Sequence, residues 1–511
     1  MSRERISDFL NPEVMIEISP DIRYNPSCAF RRPARGGRAP GSRSEKICLK
    51  NDTAKDRSDM KWSREKSLTV VYFALYLMAT LTIALHQPLN DTYPLLQNPP
   101  DEHSRYKVPL YICEHGTLPT GYEEELFSGE CRWTYGFYTL LPYMTQGYAM
   151  RFAALFTDSE LALLYTARLV NVIQGLIMAY VILLLGKRLF EDDRVKWLFC
   201  FLVTFLPQSL FMHTYVNPDS MCLLSTALMF YGLVAGMQDG FSFRPCVLLT
   251  AGIILCALSY YNGYGFILGS MVLFVACFIR KEGGKLRYDW KPFLKKGIII
   301  SAAVLLCIGW HFVRNYMLYD GDFIGLTSKE NLIRSYGISR DTYYSEGKSL
   351  FSMLFGTTFF LKVALSFIAN YGSTTLYAWK IVYLFYLGVF ALGIGGAFFG
   401  RSTGQEPWRE KTWLRLFFHA AMTLCIVIPF ILLVRYAYAT DYQAQGRYLM
   451  PGLIPFLYYV ARGLEKLPLW RKGGERRKNI LWLCSMAGIA ASLLIMVYVV
   501  ALPRYLEVTV L

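Results

Sequence analysis

Residues 67–86 read SLTVVYFALYLMATLTIALH, twenty positions without Asp, Glu, Lys or Arg, and a dozen residues later comes Pro99-Pro100-Asp101-Glu102-His103. A hydrocarbon core of roughly 30 Å requires about 20 mostly apolar residues in a helix, so the first run is long enough to cross a bilayer. It is too long for the apolar part of a cleaved signal, and no small-residue cleavage pattern follows Leu85, so it is expected to stay as an anchor. Ten similar runs follow, at 161–186, 195–213, 220–237, 245–260, 264–280, 297–313, 376–399, 413–434, 448–463 and 479–502. With 54% hydrophobic, 16% aromatic and only 18% charged residues over 511 positions, a soluble domain would not string its apolar residues this way. The expected fold is all-α: a polytopic membrane helical bundle of about eleven transmembrane helices.

Orientation follows from where Lys and Arg collect, because short basic loops resist translocation. Lys61, Arg64 and Lys66 precede the first run, behind a tail with Arg31, Arg32, Arg35, Arg38 and Arg43. Placing that tail in the cytoplasm makes every second loop cytoplasmic, and those loops hold Lys187 to Lys196, Arg280 to Lys296, Arg401 to Arg415 and Arg462 to Lys478. The charge of +15 is thereby assigned to segments facing anionic lipid, and nucleic acid is not needed to explain it. Residues 1–60, rich in Arg, Ser, Gly and Pro without an apolar period, read as a disordered basic cytoplasmic tail. Residues 61–511 read as the multi-pass membrane domain, placed in the cell membrane.

Two outer loops, 87–160 and 314–375, are long, and long ordered loops over a membrane scaffold usually carry function. Each contains an apolar aromatic stretch, 133–156 and 349–368. An added span there would invert every later loop, so interfacial or re-entrant helices are expected, with Trp133, Tyr135, Tyr138 and Tyr143 at headgroup depth. Most of the twelve cysteines lie inside spans. Cys113 and Cys131 share the first outer loop, where a disulfide would contribute about 3 kcal/mol in an oxidising compartment. No Cys or His spacing suggests structural zinc.

Four polar constellations fall on the outer face: Asp101-Glu102-His103 with Arg105; Asn217-Pro218-Asp219; Arg314-Asn315 followed by Tyr319-Asp320-Gly321-Asp322; and Gln445-Gly446-Arg447-Tyr448. Each has a plain reading. Adjacent acids are commonly a solvated pair, His103 a local hydrogen-bonding residue, Asn217-Pro218-Asp219 a helix cap, and Arg314 and Arg447 snorkelling anchors. Co-location at one membrane face argues for more. Moving a sugar from a lipid phosphate to a hydroxyl or amide needs a carboxylate to take the acceptor's proton and a cation for the departing phosphate. Arg suits the second role because its planar fork grips phosphate oxygens and stays charged. A lipid-linked oligosaccharide flippase would instead place polar residues at the bilayer midplane along broken helices, whereas Arg168 and Lys380, the charges inside runs, lie near outer ends where they can snorkel. A polysaccharide ligase would carry its long outer loop later in the chain.

These residues carry a resemblance. The acidic pair with His in a long first outer loop, Trp310-His311-Phe312-Val313-Arg314-Asn315-Tyr316 with Gly321-Asp322 behind it, and Gln445-Gly446-Arg447-Tyr448-Leu449-Met450-Pro451 look like the GT-C superfamily of integral-membrane glycosyltransferases. Within it the chain is most similar to a bacterial branch catalogued as domain-of-unknown-function family 2142; Lys362 to Trp379, with Ser366-Phe367 and Tyr371-Gly372, also fits. The resemblance covers roughly residues 65–505. It implies a polyprenyl-phosphate sugar donor, a glycan, lipid or protein acceptor, inverting single displacement, and a base at Asp101 or Glu102, with Asp101 favoured by position. Asp219 matches a second acidic position that orients the acceptor or holds a divalent cation. Arg314 and Arg447 are the candidates for phosphate; His103, Asn315, Gln445 and Tyr448 complete the expected substrate-binding set.

Overall fold

The computed structural model describes residues 43–89, 98–129, 134–282, 285–337, 341–400, 412–508 and 510; the side chains of residues 43–64, 281 and 412 are outside that description. It divides into two units, residues 1–66 and 67–511. Helix α1 (Arg43–His86) begins well before the membrane run, so residues 43–60, read as irregular tail, are helical. Residues 1–42, Cys131, Trp133, Arg401, Arg409 and Lys411 lie outside the described residues.

The chain is helical almost throughout. After α1 come α2 (Glu102–His115), α3 (Leu141–Ala153), α4 (Glu160–Leu189), α5 (Asp193–Phe205), α6 (Pro207–Phe211), α7 (Asp219–Asp239), α8 (Phe243–Ala257) and α9 (Tyr264–Ala276). A hairpin, β1 (Ile279–Glu282) with β2 (Lys285–Tyr288), leads to α10 (Trp290–Leu318), α11 (Leu326–Ser335), α12 (Leu350–Phe355) and α13 (Phe359–Ile368). Two-residue strands β3 (Asn370–Tyr371) and β4 (Leu376–Tyr377) precede α14 (Lys380–Phe399), α15 (Thr412–Ala439), α16 (Leu453–Lys466), α17 (Pro468–Arg471) and α18 (Glu475–Leu506), which contains a π-turn at Ile495–Ala501.

Each of the eleven expected runs falls on helix, and seven of the described helices are long and apolar enough to cross a membrane. The other four runs are shorter for local reasons. Run 195–213 breaks between α5 and α6 at Leu206-Pro207, where proline has no N–H to continue the ladder. Runs 245–260 and 264–280 end at Ala257 and Ala276, the second turning into the hairpin. Run 448–463 starts as a 3-10 turn, Gly446–Gly452, containing Pro451.

Helix α7 is enclosed by its neighbours, with apolar side chains such as Leu223, Met229, Phe230 and Leu233 buried around its circumference, the pattern of a central helix. Helix α10 is peripheral: Ile298, Leu305, Leu306, Val313 and Met317 are all more than half exposed, an apolar stripe suited to lipid. Helices α14 and α16 meet at Gly393, Gly396 and Gly463, where a side chain would collide with the opposite backbone, the close small-residue crossing common in membrane bundles.

The first long loop folds as α2, a 3-10 turn at Glu124–Leu126 and α3. Pro99-Pro100 keep the approach from being helical, and Gly116 (φ 70) ends α2 by donating to the Ile112 carbonyl. Tyr135 and Tyr143, expected at headgroup depth, are buried inside the protein and Tyr138 is half-buried, while Tyr148, Phe152 and Phe156 of the same loop are exposed. Cys113 is a free thiol. Nor does Arg168 snorkel. It is fully buried.

Candidate active site

Three of the four constellations converge. Asp101, at the head of α2, Asp219, at the head of α7, and Arg447, in the 3-10 turn before α16, are linked through side chains, with Arg105 between them. Arg105 has no role assignable from the sequence alone; its one signal there is its place four residues after Asp101, one helical turn along the same face.

Arg447 donates from Nη2 to Asp101 Oδ2 at 2.8 Å. Arg105 bridges the two acids, Nη2 to Asp101 Oδ2 at 3.5 Å and Nη1 to Asp219 Oδ2 at 3.4 Å. Arg105, Arg447 and Asp219 are each 4–5% exposed at the side chain, whereas Asp101 is 38% exposed. The open member of the cluster is therefore a carboxylate held from behind by two buried cations. Burial favours its neutral form, but the Arg447 and Arg105 charges outweigh that and hold Asp101 below the ordinary carboxylate range. Its backbone is left-handed (φ 60), a conformation Asp tolerates better than most residues and one concentrated at functional sites.

The guanidiniums are not saturated. Arg447 Nε and Nη1 and Arg105 Nε are buried without a hydrogen-bond partner among the described residues, and so is Gln445 Oε1. Buried polar groups are nearly always paired in a finished protein, so these groups keep hydrogen-bonding capacity for a further partner. The planes are fixed by aromatics: Arg105 lies over Tyr135 at 5.0 Å and Arg447 over Tyr448 at 5.1 Å. The Tyr448 hydroxyl accepts from Arg447 Nη2 (3.3 Å) and donates to Gln443 Oε1 (2.5 Å), while Gln443 Nε2 donates to Asp441 Oδ2 (2.7 Å).

Gly446 explains why Arg447 can reach the cluster. A Cβ there would run into the Val363 carbonyl and Phe367 amide of α13, and the Gly446 N–H donates to Ser366 Oγ at 2.7 Å. Beside this turn, α13, α14 and α15 enclose an apolar cavity of about 410 Å³, lined by Val363, Phe367, Phe390, Phe430, Leu449 and Phe456 among others.

Glu102 is a correction to the expected pair. Its carboxylate grips Arg168 by two hydrogen bonds, 2.9 and 2.7 Å, and accepts the Val216 N–H at 2.7 Å, with neither side chain exposed. Arg168 Nη1 also donates to the carbonyls of Ala84 and Gln87. Glu102 thus ties α1, α2, α4 and the approach to α7 together, away from the open cluster. His103 is half-buried on the first turn of α2. Asn217 does cap α7, its Oδ1 accepting the Ser220 N–H at 3.0 Å, while Asp219 of the same triplet serves the cluster.

Arg314 and Asn315 do not join it through their hydrogen bonds. Arg314 Nη2 donates to the Pro119 carbonyl at 2.6 Å, and Asn315 Nδ2 to the Phe323 carbonyl at 3.1 Å. Both hold the two long loops in shape. A divalent cation between Asp101 and Asp219 does not fit this arrangement, because Arg105 lies between the carboxylates and bonds to each. Among the described residues, the one group of three or more donors close enough to share an ion is Glu114, His115 and Glu125, all exposed, at the opposite end of α2.

A comparison with curated proteins finds no match. Among solved structures the chain is similar to the Archaeoglobus fulgidus oligosaccharyltransferase in its apo form, at 15% identity and TM-score 0.48, covering 85% of this chain and 56% of that one. It is also similar to the archaeal oligosaccharyltransferase AglB from Archaeoglobus fulgidus in complex with an inhibitory peptide and a dolichol-phosphate, at 14% identity and TM-score 0.46, with 85% and 56% coverage. The chain thus spans just over half the length of these proteins. A family model described as "Predicted membrane protein (DUF2142)" matches residues 96–457, most of the folded body, and the chain belongs to that membrane-protein family.

Proposed function

We propose that this protein is a membrane glycosyltransferase that moves a sugar from a polyprenyl-phosphate donor to a cell-envelope acceptor on the outer face of the cell membrane, with its N-terminus in the cytoplasm. The observation that carries the reading is Asp101: an accessible carboxylate backed by two buried guanidiniums, with Arg447 Nε and Nη1 and Arg105 Nε unpartnered among the described residues.

In the reaction, Asp101 takes the proton of the acceptor hydroxyl or amide as that atom attacks the anomeric carbon. The bond from that carbon to the phosphate oxygen breaks, and the electron pair leaves with the phosphate. Arg447 and Arg105 receive the charge through their spare N–H groups, which are already oriented and desolvated. A single displacement inverts the anomeric centre. Donor phosphate drawn onto Arg447 competes with Asp101 for that cation, which raises the basicity of the carboxylate when it is needed. The apolar cavity beside the Gly446–Gly452 turn suits the isoprenoid chain. Asp219 acts through Arg105, holding it between the acids.

The deciding experiment is transfer by purified protein in lipid, using a labelled polyprenyl-phosphate sugar and an envelope extract as acceptor. Asp101→Asn should abolish transfer while the protein still inserts and folds; transfer at the wild-type rate would remove the proposal.

A further inference from the structure

A second cavity, open to the surface and of about 750 Å³, lies on the second long loop, lined by Tyr319, Asp320, Thr327, Ser328 and Asn331 with Tyr122 of the first loop at its side. Its frame is fixed. The Asp322 carboxylate accepts four backbone N–H groups, from Ile324, Gly325, Thr327 and Ser328, at 2.8–3.2 Å. The Tyr319 hydroxyl donates to the Thr120 carbonyl at 2.7 Å, and its ring packs on Phe137 and Tyr122 at 5.3 and 6.2 Å. Arg314 on Pro119 and Asn315 on Phe323 close the same frame. Asp320 keeps a left-handed backbone (φ 48) at the rim, a strained conformation that persists only where the surroundings hold it.

The lining carries phenol rings, hydroxyls, an amide and carboxylates, but no Lys or Arg. An anionic ligand would meet Asp320 with no lining countercharge, which argues against phosphate or an acidic polymer. A sugar chain without charge meets every feature: its hydroxyls donate to and accept from amide, hydroxyl and carboxylate groups, and its C–H faces pack on tyrosine rings.

We propose that this cavity binds a neutral segment of a glycan, the acceptor of the transfer reaction, an assignment that rests on the glycosyl-transfer reading. Helix α11 separates it from the acidic cluster. Thr327, Ser328 and Asn331 face the cavity, whereas Lys329 of the same helix donates to the Tyr138 hydroxyl, whose ring lies 5.2 Å from Tyr135 beneath Arg105. A helix diameter of about 10–12 Å and two tyrosine rings therefore intervene. An oligosaccharide seated there presents a sugar several units away to Asp101.

The test uses the full chain in detergent on an array of neutral and hexuronate-containing oligosaccharides of matched length, with Tyr122→Ala and Asn331→Ala, both exposed positions, and Asp101→Asn as control. Wild type and Asp101→Asn should bind neutral oligosaccharides alike, and each cavity variant roughly tenfold more weakly, about 1.4 kcal/mol. Binding that survives both cavity substitutions, equal or stronger binding of the acidic set, or no binding of neutral glycans overturns the assignment whatever Asp101→Asn does to transfer. Normal transfer by Asp101→Asn would instead overturn the underlying reading, with neutral-glycan binding left standing.

Discussion

Glu102 and Arg168 form a two-point ion pair with neither side chain exposed, while Asp101, one residue earlier, pairs with Arg447 and Arg105 and stays 38% exposed. The backbone separates the two acids: Asp101 is left-handed and Glu102 is the first residue of α2. Removing one partner of a buried pair leaves an uncompensated charge, at a cost of about 3–5 kcal/mol. Glu102→Gln and Arg168→Met should therefore each lower thermal stability and yield in detergent. Asp101→Asn takes a carboxylate from the buried Arg447 as well, but on a half-exposed side chain and with Arg105 still paired to Asp219, so it should lower the unfolding midpoint by less than Glu102→Gln does. Equal melting of Glu102→Gln and wild type would show that the pair is not a brace.

The acid limb of activity should report on Arg447. Asp101 is held below the usual carboxylate value, about 3.9, so its charged form persists to lower pH than an ordinary Asp and is lost only as pH falls through the depressed value. Substituting Arg447→Gln removes a lowering influence and leaves burial, which raises. The acid limb of kcat/KM should then move to higher pH, and an unmoved limb would separate Asp101 from the rate-controlling ionisation.

Arg447→Lys keeps a positive charge but loses the planar fork. Hydrogen bonds to charged groups contribute about 1.5–3 kcal/mol each, so donor affinity should fall by roughly 10–100-fold, with a smaller change in stability than Glu102→Gln. Donor titration by fluorescence or calorimetry measures this, and unchanged affinity would take Arg447 out of the phosphate site.

Much of this was legible in the sequence, and the gaps have physical causes. Apolar runs located the helices because their signal is local. Helices α5 and α16 are shorter than the runs that foretold them because Pro207 and Pro451 interrupt the ladder, and an apolar run alone does not mark where such a break falls. Convergence of Asp101, Asp219 and Arg447 followed from placing them on one membrane face. The divergence of Glu102 from Asp101 did not, since it depends on one left-handed residue. Arg168 read as a snorkelling end because its partner lies 66 positions away in sequence. Arg314 looked like a phosphate ligand by type, and only the fold reveals that it fastens one loop to the other.

Gly446→Ala tests whether the turn bearing Arg447 must press against α13. The added methyl meets backbone atoms of Val363 and Phe367, which cannot swing aside as a side chain would. Overpacking of this kind costs about 1–3 kcal/mol, and here part of it is relieved by moving the turn away from α13 and Arg447 away from Asp101. Transfer should fall much further than stability, and the acid limb should shift upward as for Arg447→Gln. A variant that melts early but transfers normally at low temperature would indicate that the contact holds the bundle without placing Arg447.

The cavity beside that turn should set how activity depends on donor chain length. Its walls are almost wholly apolar, and Ala364 lines it on α13, so Ala364→Phe would fill part of the roughly 410 Å³ without adding a polar group. Each methylene excluded from such a site forfeits about 0.8 kcal/mol. A long polyprenyl-phosphate sugar should lose affinity steeply in this variant. A short-chain analogue, held mainly by Arg447 and Arg105 through its phosphate, should bind nearly as it does to wild type. The comparison of KM for the two donors decides the point: an equal rise for both would mean that the substitution disturbs the phosphate site, and no rise for either would mean that the lipid chain lies elsewhere.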